Sequence, residues 1–199
     1  MGSELTVGLT VTGLCQKAPV TLQGAKPGDV LILTKPIGSG TLMAAEMAGA
    51  AFGGDLHAAL LAMSQPQGAA SALLAPVARA MTDVTGFGLA GHLAGICEAS
   101  GVGAELQVRA VPLLPGALAL AQAGVRSSLT ASNIRSLPQV SGPETPAMSL
   151  MFDQQTAGGL LAAVPADAAE DLVQELRRSA APEAATIGTI RSGMAIQCL

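Results

Sequence analysis

The stretch Met81-Thr82-Asp83-Val84-Thr85-Gly86-Phe87-Gly88-Leu89-Ala90-Gly91-His92 constrains this chain more than any other. One acidic residue stands between two hydroxyls, and three glycines precede a segment in which Leu89, Leu93, Ile96 and Cys97 recur at helical spacing. The pattern predicts a brief strand over Val77 to Met81, a tight turn, and a helix from Phe87 to Ala99. Glycine admits positive φ and lets a ligand approach the backbone, and the free N–H groups that open a helix favour anions. An Asp at the lip of such a turn offers carboxylate oxygen to a hard cation, which can bridge to phosphate. Asp83 is therefore the candidate metal ligand, and Thr82, Thr85, Gly86 and Gly88 are the candidate contacts to a phosphate-bearing cofactor.

Two other readings compete for the same letters. Gly86, Gly88 and Gly91 spell a G-x-G-x-x-G turn of the dinucleotide-binding kind. Against it, Asp83 and Thr85 stand where a buried strand should end apolar, Pro76 shortens that strand, and Glu105 begins the next strand instead of ending it. The plainer alternative is a glycine turn that packs a helix onto a sheet, with Asp83 as a cap.

A second dense motif, Met151-Phe152-Asp153-Gln154-Gln155-Thr156-Ala157-Gly158-Gly159-Leu160-Leu161, places an acid, two amides, a hydroxyl and two glycines before an apolar strand from Leu160 to Val164. Such a grouping either orients a site or ties down a turn. A third, Lys35-Pro36-Ile37-Gly38-Ser39-Gly40-Thr41, follows the apolar run Val30 to Thr34. Its Lys precedes the glycines and no Gly-Lys-Ser/Thr closes it, so it is not a P-loop. It reads as a strand-to-helix connection.

Elsewhere, alternation predicts a half-buried strand over Leu5 to Gly13 and an edge or half-exposed strand over Ala104 to Arg109. Helices are expected over Leu42 to Ala51, Leu56 to Met63 with Asp55 as N-cap, Ala69 to Leu74, Gly116 to Ala123, and Ala168 to Arg178 behind a capping box of Asp167 and Glu170. In the second of these, Leu56, Leu60 and Met63 share the apolar face. Residues 125–148 are rich in Ser, Thr, Pro and Gly and read as a loop-rich excursion, with Thr130 to Asn133 solvated. Ala185 to Ile190 and Met194 to Cys198 are closing strands. The expected fold is α+β: a mixed, largely antiparallel sheet covered by helices, in one domain over residues 1–199.

Composition removes several function classes. Net charge is −4, the ten Lys and Arg are scattered, and there is no Trp or Tyr and only three Phe, so neither a basic footprint nor a stacking platform for nucleic acid is present. No run reaches the roughly eighteen uninterrupted apolar residues of a spanning helix, and the start lacks a secretory pattern. A cytoplasmic protein is expected. Cys15, Cys97 and Cys198 lie far apart, as core hydrophobes rather than a disulfide framework or zinc site. His57 reads as solvated and His92 as a hydrogen-bonded interface histidine.

Gly8 to Gly13, Leu33 to Gly40, Met81 to Leu93 and Phe152 to Leu161 together resemble the C-terminal part of the selenophosphate synthetase (selenide, water dikinase) family. Its superfamily includes aminoimidazole ribonucleotide synthetase and thiamine-monophosphate kinase. The resemblance implies magnesium- and ATP-dependent phosphoryl transfer to selenide, giving selenophosphate, AMP and phosphate. It implies that Asp83 joins carboxylates of an N-terminal domain in holding magnesium on the nucleotide, and that the complete protein is a homodimer. The family's N-terminal Cys or selenocysteine with its Lys, its further Asp residues and its Gly-Gly-His loop have no counterpart here, and Gln154 stands where the family usually has Pro. The chain is thus expected to be a C-terminal domain lacking its ATP-binding and catalytic partner, and inactive alone. The alternatives are another ATP-using member of the superfamily and a non-catalytic assembly or regulatory module of the same fold.

Overall fold

A computed structural model describes residues 8–15 and 18–199. Seven strands form one sheet. In chain order they are β1 (Val30–Leu33), β2 (Ala80–Asp83), β3 (Gly103–Leu106), β4 (Val140–Ser141), β5 (Leu160–Val164), β6 (Ala185–Arg191) and β7 (Ile196–Cys198). Across the sheet they run β2-β5-β1-β6-β3-β7-β4. The first four pairings are antiparallel and the last two, β3 with β7 and β7 with β4, are parallel. The architecture is the mixed, largely antiparallel α+β sheet expected from the pattern.

Side chains alternate across a strand, so a strand apolar at every position is buried on both faces. In β1 and β5, Leu31, Leu33, Leu161 and Ala163 enter one core, while Ile32, Ala162 and Val164 enter a second. The larger core is closed by α1 (Ser39–Met47), α4 (Gly88–Ser100), α5 (Ala117–Gln122) and α7 (Pro146–Leu150), through Leu42, Leu89, Leu93, Ile96, Ala117 and Leu150. The smaller is closed by α3 (Gly68–Leu74) and α8 (Ala166–Ser179), through Leu74, Leu172, Val173 and Leu176. Two further helices, α2 (Gly53–Ser64) and α6 (Thr130–Ser136), lie between these elements in the chain. Cys97 and Cys198 are buried, which pushes each thiol up to about 11, whereas Cys15 is exposed and is no part of the core.

Several local expectations are corrected. The strand expected over Leu5 to Gly13 lies outside the described residues at 5–7, and over 8–13 the backbone is irregular and exposed. Period-two alternation makes a strand only where a neighbour supplies hydrogen bonds. β2 begins at Ala80 and runs through Asp83, later than expected, because its register is set by β5, Ala80 opposite Ala163 and Asp83 opposite Leu160. β3 is no edge strand: β6 flanks it on one side and β7 on the other. α2 starts at Gly53, so Asp55 sits in its first turn instead of capping it, and Leu60 is half exposed while Ala59 is buried. α8 starts behind Pro165 with no side-chain cap, so Asp167 and Glu170 form no capping box. Residues 125–148 are ordered into α6, β4 and the start of α7.

Candidate metal and phosphate site

Asp83 is the last residue of β2 and is exposed. Its neighbour Val84 is fully buried and donates its N–H to the Gly159 carbonyl at 2.8 Å, which extends the β2–β5 ladder one step and leaves the Asp83 side chain outside it. None of the three ion pairs among the described residues involves Asp83. The chain before β1 shields part of the same edge, Met81 donating its N–H to the Thr21 carbonyl at 2.9 Å.

The turn that follows is held from several sides. Thr85 donates its N–H to His92 Nε2 at 3.0 Å, and its hydroxyl lies 3.2 Å from the same nitrogen. The Thr85 carbonyl accepts from Gly88 and from Gln155, each at 3.0 Å. Gly88 has φ +71°, and a Cβ there would come within 2.7 Å of the Phe152 carbonyl carbon, so only glycine fits. Gly86 has open space at its Cβ position. Its carbonyl accepts from Asn133 Nδ2 at 2.9 Å, and the same amide donates to the Phe152 carbonyl at 3.0 Å.

Asn133 was placed by sequence in a solvated loop, yet it is buried and ties the glycine turn to the second motif. An Asn inside a Ser- and Thr-rich run carries no local signal of that role. The opening of α4 is also less free than the glycines suggest, since Gly88 donates to Thr85 and Ala90 donates to the Met151 carbonyl at 2.8 Å.

His92 lies in the second turn of α4, half-buried. Nε2 is placed to accept the Thr85 N–H, the geometry of a neutral imidazole with its proton on Nδ1. Burial lowers the His92 pKa, and the Asp83 charge pulls it in the opposite direction. The Phe87 ring is 68% exposed and tilts at 54° to the imidazole with centroids 5.9 Å apart.

The Asp153 motif does not converge on Asp83; it closes the start of α1. Gln155 Oε1 accepts from the N–H groups of Gly38 at 2.9 Å and Ser39 at 3.1 Å and from the Ser39 hydroxyl at 3.1 Å. Gly40 donates to the Gln154 carbonyl at 3.1 Å, and Thr41 donates to Asp153 Oδ2 at 3.0 Å. Those are the groups a helix leaves unsatisfied at its start. The glycine loop after β1 is thus a strand-to-helix connection whose donors are already taken. Asp153 is 0% exposed, and burial raises its pKa against the hydrogen bonds from Ser127, Thr41 and Gln155, which lower it. Lys35, 4% exposed, donates from Nζ to the Gln65 carbonyl at 2.8 Å and the Ala157 carbonyl at 3.1 Å. It thereby caps the negative end of α2.

Chemically, Asp83 offers hard carboxylate oxygen to solvent at the end of β2, a donor of the kind a magnesium-sized cation takes. No group of three or more His, Cys, Asp or Glu that could hold a metal lies together among the described residues. None of the helices among the described residues is long and apolar enough to cross a membrane.

Residues 26–197 match the family described as AIR synthase related protein, C-terminal domain. A selenide, water dikinase of Porphyromonas gingivalis strain W83 is 40% identical over 186 residues, covering 91% of this chain and 53% of that protein. One from Myxococcus xanthus is 39% identical over 198 residues, covering 96% and 56%. The chain spans about half the length of these curated relatives. Among solved structures, thiamine-monophosphate kinase from Stenotrophomonas maltophilia superposes with a TM-score of 0.65 at 18% identity, over 90% of this chain and 52% of that one. The hydrogenase maturation protein HypE of E. coli superposes with a TM-score of 0.63 at 18% identity, over 90% and 48%. These two show the fold alone. The family match over most of the chain and the sequence similarity to selenide, water dikinases lead to one assignment: this chain belongs to the AIR synthase related family, as its C-terminal domain.

Proposed function

We propose that residues 1–199 form the single C-terminal domain of an ATP- and magnesium-dependent selenophosphate synthetase, which transfers phosphoryl from ATP to selenide and yields selenophosphate, AMP and phosphate. One observation carries the reading: Asp83 is exposed and unpaired among the described residues, while the backbone on both sides of it is tied to the fold. Similarity to selenide, water dikinases supports the choice of reaction.

In this reading Asp83 donates carboxylate oxygen to magnesium. The hydroxyls of Thr82 and Thr85 and the open backbone at Gly86 face the nucleotide phosphates, while Gly88, expected from the sequence to do the same, is buried with its N–H on the Thr85 carbonyl and serves to shape the turn. When bound, the metal neutralises charge on the polyphosphate during transfer. The backbone on either side of Asp83 is held before substrate arrives, so only the side chain is left to order on binding. The remaining ligands and the nucleophile belong to the half of the relatives' length that this chain does not match, so the chain is inactive alone. The complete protein is a cytoplasmic homodimer paired through that half. The runner-up is another ATP-using member of the superfamily with a different acceptor.

Asp83→Asn in the complete protein tests the ligand role. Magnesium-dependent ATP consumption is expected to fall by about two orders of magnitude, the scale of losing one preorganised electrostatic group, with the folded state retained. Unchanged turnover refutes it. Calorimetry on the 199-residue chain with ATP and magnesium is expected to show weak binding, and a tight magnesium-dependent isotherm overturns the half-site.

A further inference from the structure

We propose that His92 is a positioning residue for this site: its unprotonated Nε2 holds Thr85, and through Thr85 the backbone joining Asp83 to the Gly86 opening, in the form that receives a divalent cation with a nucleoside triphosphate. The inference rests on the reading of Asp83 given above and adds a residue to it.

Besides the N–H groups of Gly88 and Gln155, each 3.0 Å from the Thr85 carbonyl, the segment Val84–Thr85 is held through its own two N–H groups. On one side Val84 donates to Gly159 of the sheet at 2.8 Å, and on the other Thr85 donates to the imidazole at 3.0 Å. The first anchor is backbone and independent of side-chain identity. The second depends wholly on the residue one turn into α4. The recorded polar contacts of His92 are both to Thr85. Nε2 has one in-plane lone pair, and directing it at the Thr85 N–H leaves the Thr85 hydroxyl oxygen with lone pairs free for a ligand. A Cβ at position 91 would come within 2.6 Å of Phe87 Cβ, so Gly91 is what lets the Phe87 ring fold back beside the imidazole. The local sequence is thus built to shelter this ring and leave it facing the turn.

The tautomer can be read without a variant. In the 199-residue chain, long-range imidazole nitrogen NMR at pH 7.5 is expected to show the His92 proton on Nδ1 and Nε2 bare; a proton on Nε2 overturns the proposal. In the complete protein, His92→Leu is expected to raise the magnesium and ATP concentrations for half-maximal turnover about tenfold, the scale of one hydrogen bond. His92→Gln, whose Oε1 can accept the same N–H, is expected to return both to within about threefold. Leu and Gln variants that match wild type, or that are equally impaired, overturn the proposal, the second outcome marking a packing role. Asp83→Asn in parallel separates the two ideas. An active Asp83→Asn protein removes the site itself, whereas an impaired one beside wild-type-like His92 variants removes only the role of the histidine. A misfolded His92→Leu leaves the tautomer measurement to decide.

Discussion

Ser39 gives Gln155 two donors, its backbone N–H and its hydroxyl, each 3.1 Å from Oε1, although the residues are 116 positions apart. The Ser39 oxygen in turn accepts the Thr156 N–H at 3.0 Å. Gly159 lies against Lys35, Gly158 against Val84, and Gln155 donates to Thr85. The three glycine-bearing motifs are therefore one interlocked unit, in which the second motif braces the other two.

Gln155→Leu should strand the buried N–H groups of Gly38 and Ser39 together with the Ser39 hydroxyl. The expected loss is about 2–4 kcal/mol, more than one hydrogen bond because buried donors are left unmet. Urea denaturation followed by circular dichroism checks it, and a loss below about 1 kcal/mol would mean that water replaces the amide.

Asp153→Asn separates charge from shape at a buried position. Burial raises the Asp153 carboxyl above its ordinary 3.8. A group raised in the folded state contributes stability that is complete below the unfolded value and is lost as pH rises through the folded value. The asparagine variant should therefore gain on wild type as pH rises from about 4 to 7. Paired urea midpoints at the two pH values test this, and a difference that stays constant refutes it.

The imidazole of His92 behaves in the opposite sense. Its pKa is lowered from 6.5, mainly by burial, so its contribution is complete above that value and is lost as pH falls below 6.5 toward the folded value. Thermal unfolding of wild type between pH 8 and 5 should show this slope, on top of the carboxylate terms, and His92→Gln should flatten it. Identical slopes would place the titration elsewhere.

Gly88 and Gly101 both have positive φ, near +71° and +67°, but a Cβ at Gly88 would strike the Phe152 backbone whereas Gly101 faces open space. Gly101→Ala should cost about 1–2 kcal/mol from backbone strain alone. Gly88→Ala should cost about 3 kcal/mol or more, strain and overlap together. Equal losses in a denaturation series would show that the Phe152 segment gives way freely.

What the sequence made legible follows from the range over which each signal acts. The helix at 88–100 and the strand at 160–164 announce themselves by spacing and by apolar runs, and the sheet class follows from their order. The Asp83 proposal also starts from a local pattern, a carboxylate between hydroxyls before glycines. β3 was misjudged because its second neighbour, β7, arrives from the last residues of the chain and no local alternation reports it. Asn133 was missed for the same reason, as its two acceptors, Gly86 and Phe152, lie 47 and 19 positions away. The alternation over 8–13 misled in the opposite direction, because a period of two records suitability for pairing without supplying a partner.

The clasp between residues 38–41 and 153–156 also sets an order of events at the ribosome. The last strand to enter beside β2 is β5, so the loop bearing Asp83 can take its final shape only after the chain has been synthesised beyond residue 164. Contacts this distant in sequence slow folding, and until they form the nascent polypeptide carries a loose acidic loop beside an unpaired strand. The acidic end of β2 would thus reach its final place late in translation, after most of the helices that surround it have been made.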